Sequence, residues 1–184
     1  REFGGNTIVS NIGGIVAFYP TKLKYQYTNP YLTGDFVAEM IEAAHAEGLA
    51  YIGRFDLSKG MRAAYDAHPD WFMLNRDGNP REYEGTYQAC PNGGWAKEYG
   101  ALILGEALRR YKPDGVFFNM TGYPLTDYSN INHGICVCEN CRRTFRDMYG
   151  KDLPKVDGFA DPAWRDYLKF QERTSEAVAQ VAAT

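Results

Sequence analysis

The spacing of apolar runs constrains this chain more than any single residue does. "NTIVSN" (6–11), "LAYIGRFD" (49–56) and "DGVFFNM" (114–120) are short β-branched or aromatic runs bounded by Gly, Asn or Asp, and each reads as a buried strand. Asp35 caps a predicted helix whose Phe36, Val37, Met40, Ile41 and Ala44 share one face, with Gly48 just past its end. A second helix is expected from about Trp95 to Tyr111, turning Trp95, Tyr99, Leu102, Ile103 and Leu108 inward and stopping at Pro113. "CRRTFRDMYG" forms a third, ended by Gly150, and "DPAWRDYLKF" opens a fourth with Asp161 at the cap and Pro162 at the first helical position. The segments after the strands are long: a Tyr-rich loop up to Asp35, the irregular stretch 57–94, and the loop 121–139. The links from helix back to strand, "EGLA" and "KPDG", are short.

Continuous apolar strands separated by helices imply an α/β fold with parallel strands. Long loops after strands and short links before them fit a (β/α)8 TIM barrel, with function on the post-strand loops. A doubly wound open sheet would place its site on the same side, and the pattern does not separate the two. A complete barrel needs about 250 residues. The 184 residues here supply three strands, and the last helix has no stop signal. The expectation is therefore a single domain over 1–184 that is part of a larger barrel, against the alternative of a self-contained three-stranded domain.

The four cysteines are placed unevenly. Cys136, Cys138 and Cys141 fall within "CVCENC", and Cys90 stands alone in "TYQACPNGG". Zinc takes four soft ligands in a tetrahedron at about 2.3 Å, so the three clustered thiolates need one more, and Cys90 is the remaining cysteine. Cys90 ends one post-strand loop and the cluster ends the next, so one ion would clamp two loops at the active face. Four thiolates leave no open position, which makes the metal structural. Disulfides are the competing reading, but a Cys-x-Cys bridge is strained. Zinc-binding thiols lean towards a reducing, cytoplasmic compartment.

With a formal charge of −3 and dispersed Lys and Arg, no nucleic-acid footprint is visible. No apolar run approaches the roughly 20 residues of a membrane span. Aromatics reach 15%, with 14 Tyr, which points either to large buried cores or to stacking surfaces for sugar-like ligands.

The lone cysteine plus C-x-C-x-x-C followed by "RRTFR" and "YGKDLP" resembles the zinc site of family 42 β-galactosidases. "GGIVAFYPTKLKYQYTNPYLTGD", "AAHAEGLAYIGRFDLSK", "HPDWFMLNRDGNPR" and "PDGVFFNMTGY" are more similar still to a group of barely characterised glycosyl hydrolases with the same barrel. The resemblance implies that the three strands are roughly the second to fourth of eight. It also implies a carbohydrate substrate, a structural zinc, and an oligomer in the full-length protein through a trimerisation domain behind the barrel. In family 42 the fourth strand ends in Asn-Glu, with Glu as general acid/base; here Asn119 and Met120 stand there, and methionine cannot donate a proton.

Glycoside hydrolysis generally uses two carboxyl groups. Asp56, at the end of the second strand, is the best-placed acid, with Arg54 on the same side of that strand to hold it or grip a hydroxyl. Asp127, in "PLTDYS", is the candidate for the second carboxylate or else a turn cap. Asn119 is read as a sugar-hydroxyl contact, and His133 as a substrate contact or a partner of a cysteine. Tyr19 and Trp71 are read as stacking residues, Trp71 alternatively as a packed loop anchor. His45 is read as packing or capping, and Glu106 as solvated or paired. Two functions follow: a glycoside hydrolase, or a non-catalytic carbohydrate-binding barrel. A zinc-ribbon interaction module fits the cysteines but not the strands and helices around them.

Overall fold

A computed structural model describes residues 4–120 and 122–181. Its centre is a parallel sheet of three strands in sequential order: β1 (Thr7–Gly14), β4 (Ala50–Asp56) and β8 (Gly115–Phe118). Two short pairings precede or flank it: β2 (Val16–Ala17) with β3 (Tyr27–Thr28), and an antiparallel sheet of β5 (Lys59–Met61), β7 (Thr86–Gln88) and β6 (Glu82–Tyr83). The helices are α1 (Phe36–Ala46), α2 (Arg62–Ala67), α3 (Gly100–Tyr111), α4 (Glu139–Tyr149) and α5 (Trp164–Val181).

Alternation along β4 sets which side of the sheet does what. Tyr51, Gly53 and Phe55 point to a core built with Val37, Ile41 and Ala44 of α1 and Ile103, Leu104 and Ala107 of α3. Each large side chain so buried contributes about 1.5–3 kcal/mol. The opposite side carries Ile52, Arg54 and Asp56. By register it also carries Val9 and Asn11 of β1 and Phe117 of β8. Val9 is 57% and Phe117 46% exposed, so this second side holds apolar surface without a cover among the described residues.

The helix ends follow their chemistry. Asp35 accepts the N–H of Ala38 at α1, and Gly150 takes the left-handed conformation after α4. At α5 the cap holds but the start shifts: Asp161 accepts the N–H of Ala163, Pro162 lies in the turn, and regular helix begins at Trp164. On α3, Leu102 is 52% exposed where an inward position was expected; Leu104 and Ala107 take the buried face. The first turn, Trp95–Tyr99, is wound more widely than an α-helix, and this one-residue offset rotates the predicted face. The stretch 57–94, read as irregular, contains α2, a short turn of helix at Pro69–Trp71, and the antiparallel sheet.

β1 runs to Gly14, past the predicted end, because glycine alone fits there. Gly14 has φ +115°, and a Cβ would lie 2.1 Å from the carbonyl oxygen of Asp56. Backbone, not a yielding side chain, occupies that space. Gly14→Ala is expected to cost about 3 kcal/mol or more, read as a lower urea midpoint at unchanged slope.

Candidate metal centre and strand-end site

The hairpin β6–β7 delivers Cys90 into a turn. Its N–H donates to the carbonyl of Trp71 and its carbonyl accepts from Gly93. The loop before α4 delivers Cys136 and Cys138, and Cys141 occupies the first turn of that helix. The four Sγ atoms lie within 4.8 Å of one another, with Cys90 3.5 Å from Cys138 and 3.4 Å from Cys141. A tetrahedron of sulfurs about 2.3 Å from an ion has edges of about 3.8 Å, so the cluster fits a metal ion with little movement. All four are buried and free of disulfides. Around them packs a second core of Met73, Ile135, Phe145, Trp164, Tyr167 and Phe170, which α4 and α5 close.

The sulfurs hydrogen-bond one another. Hydrogen bonds from Cys138, Cys141 and Cys90 depress the Cys136 thiol, while the bond to Cys136 raises Cys90. Asn92, which the sequence reading did not single out, donates Nδ2–H to Cys141 Sγ at 3.4 Å and to Tyr123 Oη at 2.7 Å; Tyr123 in turn bonds Thr174 of α5 at 2.6 Å. Outer hydrogen bonds of this kind orient metal ligands.

At the carboxyl ends of β4 and β8 a polar group assembles around Asp56. Its Oδ1 accepts from the Ser58 N–H at 3.1 Å and hydroxyl at 2.5 Å. Its Oδ2 accepts from Asn119 Nδ2 at 2.7 Å and lies 3.5 Å from an Arg54 amino group. Arg54 also donates to Asn11 Oδ1 at 2.5 Å. Asp56, Arg54 and Asn119 are therefore brought together, with Asn11 as an unforeseen fourth member. Asp56 is an acceptor from both oxygens, which suits a nucleophile or electrostatic partner better than a proton donor.

The next residue, Met120, enters the wall of an open pocket of about 320 Å³ between the antiparallel sheet and the 123–134 loop. Asp127 lines it: Oδ1 accepts from the N–H groups of Ser129 and Ile131, and Oδ2 from His133 Nε2 at 2.9 Å. Partial desolvation raises its pKa, but the donors from Ile131, His133 and Ser129 outweigh that and hold it below the usual carboxylate value. Asp127 is thus a turn cap as well as a pocket carboxylate. His133 is its partner; the bond that holds the ring runs to Asp127 and not to a cysteine. The remaining lining includes Lys59, Arg81, Glu82, Tyr83 and Tyr128, all missed from sequence. Alternation in "REYEGTYQ" around Gly85 was the available hairpin signal.

Two expected stacking residues are placed elsewhere. Tyr19 is wholly buried, and its hydroxyl donates to Glu106 of α3 at 2.8 Å, so its ring offers no face to a sugar. Trp71 stacks on His68 at 3.9 Å and abuts Tyr99 and Tyr25, which makes it a loop anchor. His45 lies 2.8 Å from Asp114 beside the start of β4, away from the site. No helix among the described residues is long and apolar enough to cross a membrane.

Comparison with known proteins bears on this geometry. A β-galactosidase from Planococcus sp. (strain L4) is 29% identical over 87 residues, which is 45% of this chain and 12% of that protein. Among solved structures, α-L-fucosidase isoenzyme 2 from Paenibacillus thiaminolyticus superposes with a TM-score of 0.70 at 19% identity, covering 96% of this chain and 24% of that one. The β-galactosidase from Rahnella sp. R3 gives 0.62 at 17% identity, covering 96% and 29%. The chain thus spans less than a third of each of these relatives, and the structural likeness shows a shared fold. Residues 1–120 match the family described as Hypothetical glycosyl hydrolase 6, which takes in all three central strands, Asp56 and Cys90. The chain belongs to that glycosyl hydrolase family.

Proposed function

We propose that this chain is part of a (β/α)8 barrel that hydrolyses glycosidic bonds, with Asp56 at its reacting centre and a zinc ion clamping two loops of its active face. The observation that carries the reading is the convergence of Asp56, Asn119 and Arg54 at the carboxyl ends of adjacent parallel strands, from which Met120 leads into the pocket. Barrel enzymes place their chemistry at that end. α1 and α3 pack on the same side of the sheet, as in a singly wound barrel, and the half-exposed side bearing Val9, Ile52 and Phe117 is the one a closed barrel would enclose. The further strands would cover the edges of β1 and β8 in a longer protein, which this reading takes to be oligomeric.

In this reading the substrate is a carbohydrate. Asp56 attacks or stabilises the anomeric carbon, Arg54 and Asn119 fix it and contact sugar hydroxyls, and Asp127 with His133 supplies the second carboxylate site. Cys90, Cys136, Cys138 and Cys141 would hold zinc; when bound, it supplies rigidity and no open coordination position. The resemblance to the Planococcus β-galactosidase supports a galactoside as the first substrate to try. Met120 at the strand end favours a second reading, a barrel that binds sugar without cleaving it. A panel of aryl glycosides incubated with the natural full-length protein separates them: turnover supports the hydrolase, saturable binding with no released phenol supports the second reading, and neither result with any sugar refutes both.

A further inference from the structure

The pocket beside the Asp127 loop contains two cations that this mechanism does not use. Arg81 is 5% exposed and lines the pocket. One amino group donates to the Pro124 carbonyl at 2.8 Å and the other to the Gly134 carbonyl at 2.6 Å, while its Nε is buried without a partner. Arg54, Arg62, Arg76, Arg110 and Arg146 each pair with an aspartate. Among the described residues Arg81 has no such partner, although it is the most deeply placed in this pocket. An uncompensated charge in that position is costly, which argues for a counter-charge that arrives with a ligand.

Lys59 is the second cation. Its ammonium sits 5.2 Å from the ring centre of Tyr83 and 4.6 Å from that of Tyr128, with no carboxylate at ion-pair distance among the described residues. The two rings hold it at the wall without neutralising it. The carboxylates nearby are engaged elsewhere: Asp127 by His133 and two N–H groups, Glu82 by the N–H of Gly85.

We propose that this pocket binds the negative group of an anionic sugar, a uronate carboxylate or a sulfate ester, between Arg81 and Lys59. The inference rests on the carbohydrate reading above and narrows its substrate class. A guanidinium grips either group through paired N–H donors, and the ammonium adds a point charge.

The test is calorimetric titration of the natural full-length protein with trigalacturonate, sulfated galactotriose and neutral galactotriose. One anionic ligand is expected to bind tightest, its affinity falling with salt, and whichever of the two wins identifies the group. Arg81→Gln and Lys59→Gln are each expected to weaken that binding about 10- to 100-fold, and Lys59→Gln to do so without loss of metal content. Because Arg81 also ties Pro124 to Gly134, Lys59→Gln carries the test if Arg81→Gln does not fold. Equal affinity for the neutral sugar, or anionic affinity untouched in Lys59→Gln, overturns the proposal and leaves the carbohydrate reading standing. An Arg81→Gln protein that keeps anion binding and loses metal reassigns Arg81 to the thiolate centre. Failure to bind any of the three, together with no turnover of aryl glycosides, removes both.

Discussion

If the four-cysteine cluster holds zinc as proposed, Cys90→Ser is expected to abolish metal binding and lower the thermal midpoint by about 10 °C or more. Structural zinc contributes on the order of 10 kcal/mol of apparent binding energy to small domains that fold around it. This chain has a separate apolar core on the α1–α3 side of the sheet, so only part of that energy is at stake. Losing even about 3 kcal/mol shifts the midpoint of a domain this size by roughly 10 °C. Serine is a poor zinc ligand, and its hydroxyl would sit at a wholly buried position among Met73, Ile135 and Phe145. The loss should spread, because Cys90 belongs to the hairpin side and the other three to the α4 side. With the clamp open, the loop that carries Asp127 and His133 loses its fixed neighbour. Calorimetry with metal analysis on wild type and variant checks this. Native protein without stoichiometric zinc, or a variant with an unchanged midpoint, would end the metal assignment.

The residues that could be read in advance share a property: their signal is local or unique. Asp35 and Gly150 are punctuation that acts within one turn of helix, and both caps form where the sequence puts them. The central strands announce themselves as short apolar runs, but burial follows fully only in β4, whose Tyr51, Gly53 and Phe55 face the helices; β8, read as a buried strand, lies at the sheet edge with Val116 38% exposed. The four-sulfur cluster was legible because three ligands are near neighbours and a chain with four cysteines leaves one choice for the fourth. The antiparallel sheet was not legible. Its strands are two or three residues long, so the alternation around Gly85 is too brief to separate from a loop by itself. The pocket was hidden for a related reason. Lys59, Arg81, Tyr83 and Tyr128 come from three separate segments, and only the fold of the hairpin against the 123–134 loop makes them neighbours. Tyr19 shows the opposite failure: its position just after a strand suggested the active face, yet Glu106 captures its hydroxyl and turns the ring into the core.

The second large effect is expected at Asp56. If its carboxylate forms or stabilises the bond at the anomeric carbon, Asp56→Ala should lower kcat on activated aryl glycosides by on the order of 10³, equivalent to about 4 kcal/mol of transition-state stabilisation. The alanine variant is preferable to asparagine. An amide would point donor against donor, since Asn119, Arg54 and Ser58 already supply N–H or O–H groups to that site. A structural role also predicts loss of activity, through displaced Arg54 and Asn119, so rate alone does not decide. Azide does: small enough to enter the space left by the carboxylate, it should restore turnover and yield a glycosyl azide if Asp56 is the nucleophile. A merely structural aspartate leaves no reacting position for azide to fill. In that case KM rises with kcat's fall, no azide adduct forms, and the nucleophile is a carboxylate other than Asp56, with Asp56 left as the brace that joins β4 to β8.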